Sequence, residues 1–148
     1  MTHNPFPLIS SEIKYKNPWI SVREDRVYRP DGNPGIFWVV TVNDGSIILA
    51  VDSDNCVYLN HEYHYALGKY EYKLFWWARD GDEKPLECAA RELSEESGIE
   101  AKKWTFLGEL HPYTNIVQWT EYLYLTQDLS YFSPHPEAWE TTKAKKFP

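Results

Sequence analysis

The sequence predicts an α/β chain of the α+β type, in which several strands accompany one clearly delimited helix. The helix is predicted over residues 85–97, where apolar residues recur with the helical period. Pro85 suits the first helical position, because its missing N–H would lack a partner there anyway. Gly98 suits a left-handed C-terminal cap. Strands are predicted where short alternating segments are bounded by Asn, Asp, Gly and Pro.

The strands occupy most of the chain outside this helix. They are predicted over residues 19–28, 36–42, 46–51, 56–63, 71–77, 104–110, 118–126 and 143–147. The second and third of them are predicted to form a hairpin around Asn43-Asp44-Gly45. Residues 130–142 are predicted to be irregular. A chain of 148 residues fits one domain with a real core, so residues 1–148 are predicted to form a single domain.

Composition limits the classes of partner. The formal net charge is −7, which argues against duplex nucleic acid or an anionic membrane surface as the main partner. No apolar run is long enough to span a membrane, and the N-terminus lacks the features of a secretion signal. Cys56 and Cys88 do not make a disulfide framework, so a reducing, cytoplasmic location is expected.

Residues 91–99, which read RELSEESGI, concentrate acidic side chains on the predicted helix. Residues three and four apart share a helical face, so Glu92, Glu95 and Glu96 are predicted to be neighbours. Glu92 and Glu96 flank the apolar stripe, whereas Glu87 and Glu95 point further out. A hard divalent cation such as Mg²⁺ or Mn²⁺ would offset the repulsion between these carboxylates. The alternative is an ordinary solvated acidic face, which is favoured for Glu87 and Glu95 taken alone.

The same nine residues resemble the second half of the signature of the Nudix hydrolases. In that family a Gly, five residues, a Glu and seven residues precede the string. Glu83 stands where the earlier Glu is expected, but Trp77 stands where the Gly is expected. Eight of the nine specified positions therefore match.

The resemblance implies a fold and a chemistry. Nudix proteins fold as a mixed β-sheet sandwiched between helices, and they hydrolyse a nucleoside diphosphate linked to another moiety. The implied metal ligands, for Mg²⁺ or Mn²⁺, are Glu92, Glu95 and Glu96. Glu83 would assist from the loop before the helix, and Arg91 would be a structural ion-pair partner. Glu83, Glu92 and Glu96 are accordingly predicted to serve catalysis.

The loop before the helix departs from the family pattern. Glycine tolerates backbone dihedrals that other residues do not, and Trp77 is the largest possible replacement. Family members usually have Gly directly before the signature Glu, whereas here Asp82 has that place and Gly81 comes one residue earlier. Two alternatives follow: the turn has shifted by one residue, or the loop has lost its catalytic shape.

Residues 59–66, 107–112 and 145–148 further resemble the ADP-ribose and nucleotide-sugar pyrophosphatases. Members of that subfamily are commonly homodimers that build their sites partly across the interface, so a homodimer is expected. Their last segment usually precedes a C-terminal helix, which is therefore predicted to be missing or truncated here. The resemblance places the general base on a loop after the sheet, where Glu137 and Glu140 are the candidates. The alternative for both is a solvated acidic loop.

Aromatic residues are numerous, with seven Trp and eleven Tyr. Packing in the core and on sheet faces explains most of them. A second interpretation is a planar ligand stacked between rings, and a third is a protein–protein interface. Trp76 and Trp77, which abut the metal loop, are the pair least readily explained as core. The candidate substrate-binding residues are Trp76, Trp77, His111, Tyr113 and Trp119.

Two functional hypotheses follow. The first is a Mg²⁺-dependent hydrolase of the ADP-ribose or nucleotide-sugar type, acting on a small nucleoside diphosphate derivative. The second is a protein on a Nudix scaffold, natural or engineered, that has weakened catalysis and binds a ligand or a protein partner through its aromatic surface. Trp77 and the altered loop favour the second hypothesis, and the carboxylates of the signature favour the first.

Overall fold

The computed structural model describes residues 3–79, 81–134 and 142–148, and it contains both helix and strands. The elements in chain order are β1 Leu8–Lys16, β2 Ile20–Tyr28, β3 Pro34–Val42, β4 Gly45–Val51, β5 Val57–His64, β6 Lys69–Lys73, β7 Phe75–Ala78, α1 Pro85–Ser97, β8 Ile99–Leu110, β9 Val117–Gln118, β10 Glu121–Tyr131 and β11 Lys143–Phe147. The predicted helix and the predicted last strand are confirmed within a residue of their bounds. β1 is absent from the elements predicted above, and residues 118–126 are divided between β9 and β10.

The chain forms two compact units. The first comprises residues 1–43 and 111–120, and the second comprises residues 44–110 and 121–148. That residues 1–148 form a single domain stays a prediction.

The first unit is a four-stranded sheet in the order β1-β2-β3-β9. β1, β2 and β3 are antiparallel neighbours, and the short β9 pairs with β3 in parallel. β1 forms one edge, and all nine of its residues are exposed. Large apolar side chains that lie exposed in this unit include Leu8, Ile9, Ile13, Tyr15, Tyr28, Ile36, Phe37 and Trp38.

The second unit holds α1 and a mixed seven-stranded sheet. The main path of the sheet runs β11-β5-β4-β10-β8, with β6 added to β5 and β7 added to β4. β10 is parallel to β4, while the other pairs are antiparallel. The hydrophobic core of this unit contains Ile48, Ala50, Phe75, Trp77, Cys88, Ala89, Leu93, Ile99 and Tyr124. The core thus joins α1 to the centre of the sheet.

The predicted hairpin of residues 36–42 and 46–51 is wrong. β3 pairs with β2 and β9, whereas β4 pairs with β5, β7 and β10 in the other sheet. Asn43-Asp44-Gly45 therefore carries the chain from one unit to the next instead of turning it back on itself. A local turn pattern cannot specify which distant strand offers the better partner.

Candidate metal and substrate site

Local sequence explains both ends of α1. Lys84, just before the helix, is extended, and Pro85 occupies the first turn as predicted. The Ser46 hydroxyl donates to the carbonyl of Pro85 at 3.0 Å, which ties the start of the helix to β4. At the other end Gly98 has φ 67°, and its N–H donates to the Ser94 carbonyl. The helix is held in place at both ends.

The helix buries a face slightly different from the predicted one. Cys88, Ala89, Leu93 and Glu96 are buried, and so a carboxylate shares the buried face with apolar groups. Leu86, which belongs to the predicted apolar stripe, is 40 % exposed, so the prediction is wrong for that residue.

Arg91 is the centre of the acidic cluster. Its guanidinium makes a two-pronged contact with Glu83, from Nε at 3.1 Å and from Nη2 at 3.0 Å. Nη1 donates to Glu92 at 2.7 Å and to Glu95 at 3.1 Å. The hydrogen bond from Arg91 is the largest cause that lowers the pKa of Glu83. Arg91 thus offsets the repulsion between three carboxylates, which agrees with its implied role as an ion-pair partner.

Glu96 has a different environment from its neighbours. Its side chain lies inside the unit, and the residue is 8 % exposed. The indole N–H of Trp77 donates a hydrogen bond to Glu96 Oε1. An ionised group is strongly disfavoured in such surroundings unless donors face it, so this bond helps to keep the carboxylate inside.

Trp77 is part of the core, contrary to the expectation that it is hard to explain as core. It is 8 % exposed, and its ring stacks on Phe75 with the centroids 5.6 Å apart. Its backbone is ordinary strand, paired with Ser46 of β4, so it does not need the dihedrals that only glycine tolerates. The turn lies instead at residues 81–82, and Gly81 has φ 51°. This geometry favours the alternative in which the turn has shifted by one residue.

Trp76 faces away from Trp77, because successive strand residues point to opposite faces. The Lys73 ammonium lies 5.7 Å from the centroid of its ring. Trp76 also neighbours Glu121, a buried acid at the start of β10. Burial raises the pKa of Glu121, and the Trp76 side chain acts in the opposite direction. Glu121 was missed at the sequence level, although an acid among the alternating apolar residues of this strand is a signal that could have found it.

His111, Tyr113 and Trp119 lie together in a loop of the first unit. His111 Nδ1 is 3.2 Å from the carbonyl oxygen of Trp119, and the Trp119 indole donates to Pro112 at 3.1 Å. Tyr113 is exposed and has a positive φ of 54°. These bonds give the loop a defined shape, but its role in substrate binding stays a prediction.

The remaining candidate residues are the two acids predicted to act as the general base. Glu137 and Glu140 lie outside the described residues, so their assignment as the general base stays a prediction.

Burial, followed by the charges of Glu83 and Glu92, raises the pKa of the Cys88 thiol to about 12. A nucleophilic thiolate is therefore not available beside the acidic cluster at neutral pH.

The donor chemistry of the cluster suits a hard divalent cation, but the cluster is not preassembled for one. Within residues 3–79, 81–134 and 142–148, no group of three or more His, Cys, Asp and Glu side chains is arranged to hold a metal ion. Glu95 is exposed and Glu92 is half-buried, and Arg91 donates to one oxygen of each. Because a carboxylate has about four lone-pair sites, one such bond leaves it able to act as a ligand.

Comparison with known proteins agrees with this fold and this helix. The model of the NUDIX domain matches residues 34–147, and the model of the nucleoside diphosphate sugar hydrolase N-terminal domain matches residues 7–40. The chain therefore belongs to the Nudix family, and the predicted family and fold class are confirmed.

Individual relatives add detail. The chain is 31 % identical over 111 residues to an ADP-ribose pyrophosphatase of Mycobacterium tuberculosis, a match that covers 74 % of this chain and 54 % of that protein. The chain thus matches about half the length of this relative. The fold is similar to that in a crystal structure of an ADP compounds hydrolase, with a TM-score of 0.83 and 21 % identity over all of this chain and 80 % of the other.

Proposed function

We propose that the chain hydrolyses a nucleoside diphosphate linked to another moiety, with ADP-ribose or a nucleotide sugar as the substrate and Mg²⁺ or Mn²⁺ as the cofactor. The observation that carries the proposal is the set of carboxylates around Arg91 on the signature helix. Family membership and the printed activity of the relative from M. tuberculosis support it.

The charge of the protein explains why a cation would be needed. A pyrophosphate is polyanionic, and this chain carries a formal net charge of −7, so the two repel each other. Glu92 and Glu95 would hold the cation, which would supply positive charge for the phosphates and an activated water. Arg91 keeps both carboxylates close together on one side of the helix, and Glu83 in turn orients Arg91.

A binding protein on the same scaffold is the second candidate. It is favoured by the contact between Trp77 and Glu96, because a large side chain stands at the family's glycine position and engages a signature carboxylate. In that case the chain would bind a nucleotide derivative or a protein partner with little or no turnover.

Hydrolysis of ADP-ribose and a panel of nucleotide sugars, assayed with Mg²⁺ and with chelator, separates the two candidates. We expect turnover that requires Mg²⁺ and that falls about 100-fold or more in Glu92→Gln, since a metal ligand would be lost. Glu87→Gln is the matched control, because Glu87 is an exposed acid of the same helix that pairs with Lys84. Absence of turnover from the folded protein in every condition would contradict the hydrolase proposal for these substrates.

We also propose that the chain forms a homodimer through the first unit. Its sheet exposes many large apolar side chains, and soluble monomers rarely expose extended apolar patches. Light scattering is expected to give twice the chain mass of 17.5 kDa, and Ile13→Glu is expected to give the monomer. The control is Leu107→Glu in β8, because Leu107 and Ile13 are both 55 % exposed. A monomeric wild-type protein, or equal effects of the two variants, would contradict the proposal.

A cytoplasmic location is proposed as well. Cys56 and Cys88 are both free thiols, which fits a reducing compartment. Among the described residues, no helix is long and apolar enough to cross a membrane.

A further inference from the structure

Strands β5, β6 and β11 of the second unit carry a row of aromatic side chains on one face. In order of contact, the row consists of Tyr63, Tyr70, His61, Tyr72 and Phe147. The centroids of successive rings lie 5.3, 5.2, 4.5 and 5.1 Å apart. The three tyrosines are between 43 % and 55 % exposed. This row, with the two lysines that β11 adds beside it, is the aromatic face of the unit, and it leaves much of three large rings in contact with water.

The aromatic face is basic, although the chain as a whole is acidic. β11 places Lys143 opposite His61. Further along β11, Lys145 donates to the Tyr72 hydroxyl at 2.8 Å, and its ammonium lies 5.3 Å from the centroid of the Tyr72 ring. Among residues 3–79, 81–134 and 142–148, no carboxylate forms an ion pair with either lysine. Both positive charges are therefore available to an anionic partner.

The acids of β5 and β6 belong to the opposite face of the same strands. Glu62 and Glu71 are paired across the two strands, at positions between the aromatic residues. Because successive strand residues point to opposite faces, both acids lie on the other side of the sheet. They pair there with lysines, Glu62 with Lys73 at 2.7 Å and Glu71 with Lys69. The strand register thus separates these carboxylates from the aromatic face, so the local charge is positive in a chain of net charge −7.

We propose that the aromatic face binds single-stranded nucleic acid, with bases stacked on the tyrosine rings and phosphates beside Lys143 and Lys145. Exposed rings on a sheet face accept unstacked bases of any sequence, because every base has a π-face, and neighbouring cations attract the backbone. A duplex cannot use the rings in this way, since its bases are stacked on one another. The site is independent of the proposed cation site, because none of its residues belongs to α1 or to the loop before it.

Fluorescence anisotropy of a labelled oligouridylate of about ten nucleotides, titrated with the full chain, tests this proposal. We expect saturable binding at low salt that weakens as salt is raised, because contacts between lysines and phosphates release counterions. A duplex RNA of the same length is expected to bind at least about tenfold more weakly, since it offers no free base to the rings.

Substitutions at Tyr70 separate stacking from simple charge attraction. Tyr70→Ala removes a ring and is expected to weaken binding of the oligouridylate about tenfold, whereas Tyr70→Phe keeps the ring and is expected to bind as the wild type does. Tyr28→Ala is the matched control, because Tyr28 is 52 % exposed and Tyr70 is 55 % exposed, but Tyr28 lies in β2 of the first unit. It is expected to leave the affinity unchanged.

The lysines are tested by the salt dependence of binding. Lys145→Gln is expected to weaken binding and to reduce the slope of log affinity against log salt by about one, as for loss of one phosphate contact. Lys102→Gln, at an exposed lysine of β8, is expected to change neither. Absence of saturable binding at low salt, or equal losses in Tyr70→Ala and Tyr28→Ala, would overturn the proposal. Binding to vesicles of phosphatidylserine without binding to the oligouridylate would also overturn it and would assign the lysines to a membrane surface.

Discussion

Gly98→Ala is expected to lower the free energy of unfolding by about 3 kcal/mol or more, enough to unfold much of the protein. Gly98 has φ 67°, which costs an alanine about 1–2 kcal/mol. A Cβ at this position would also lie 2.3 Å from the Phe132 carbonyl oxygen, which belongs to backbone that cannot rotate away. The Phe132 N–H donates to the Gly98 carbonyl at 2.7 Å, so relief of the clash would break this bond. Urea denaturation followed by circular dichroism measures the loss.

Gly68→Ala is the matched control for this prediction. Gly68 has φ 68°, nearly the same as Gly98, but a Cβ there would meet nothing within 4 Å. It is expected to cost only the backbone term of about 1–2 kcal/mol. Equal losses in the two variants would show that the close approach of Phe132 does not matter.

Arg91→Gln is expected to lower the free energy of unfolding by about 1–3 kcal/mol at neutral pH. The substitution removes the positive charge that faces Glu83, Glu92 and Glu95, and it leaves three carboxylates close together on one helix. The Arg91 side chain is 37 % exposed, so the loss is smaller than for a fully buried ion pair. Chemical denaturation at neutral pH gives the value.

The loss caused by Arg91→Gln is also expected to depend on pH. The pKa of Glu83 is lowered in the folded state, chiefly by Arg91, so the contribution of this pair is present above the unfolded pKa. It disappears as the pH falls through the lowered folded pKa. The difference between wild type and variant should therefore shrink under acid conditions. Arg26→Gln is the control, since Arg26 is more exposed and pairs with one acid, Glu24, at 3.4 Å. A difference that does not narrow at low pH would contradict this account.

The error at residues 36–51 shows where local reasoning fails. The segments around Asn43-Asp44-Gly45 both have the alternation of strands, and both are strands in the structure. Their pairing was wrong because a turn pattern describes only four or so residues, whereas the choice of partner depends on distant segments. In the structure β4 lies between β5 and β10 in the core sheet.

Trp77 shows the same limit at a single position. The sequence identified it as the departure from the Nudix pattern, and the reason given was the backbone freedom of glycine. The structure shows normal strand backbone there, with the turn at Gly81, and it shows an indole that reaches Glu96. This contact joins residues 19 positions apart, and no spacing rule could predict it.

The sequence by itself determined the helix, its two ends, its acidic segment and the family. These follow from interactions within a few residues of chain, namely the helical period, Pro85 at the start and Gly98 at the end. Only the tertiary structure decided that Glu96 lies inside the second unit and accepts the indole N–H of Trp77. The physical reason is that burial and the choice of hydrogen-bond partner depend on how β7 and β4 pack against α1, and that packing involves segments far apart in the chain.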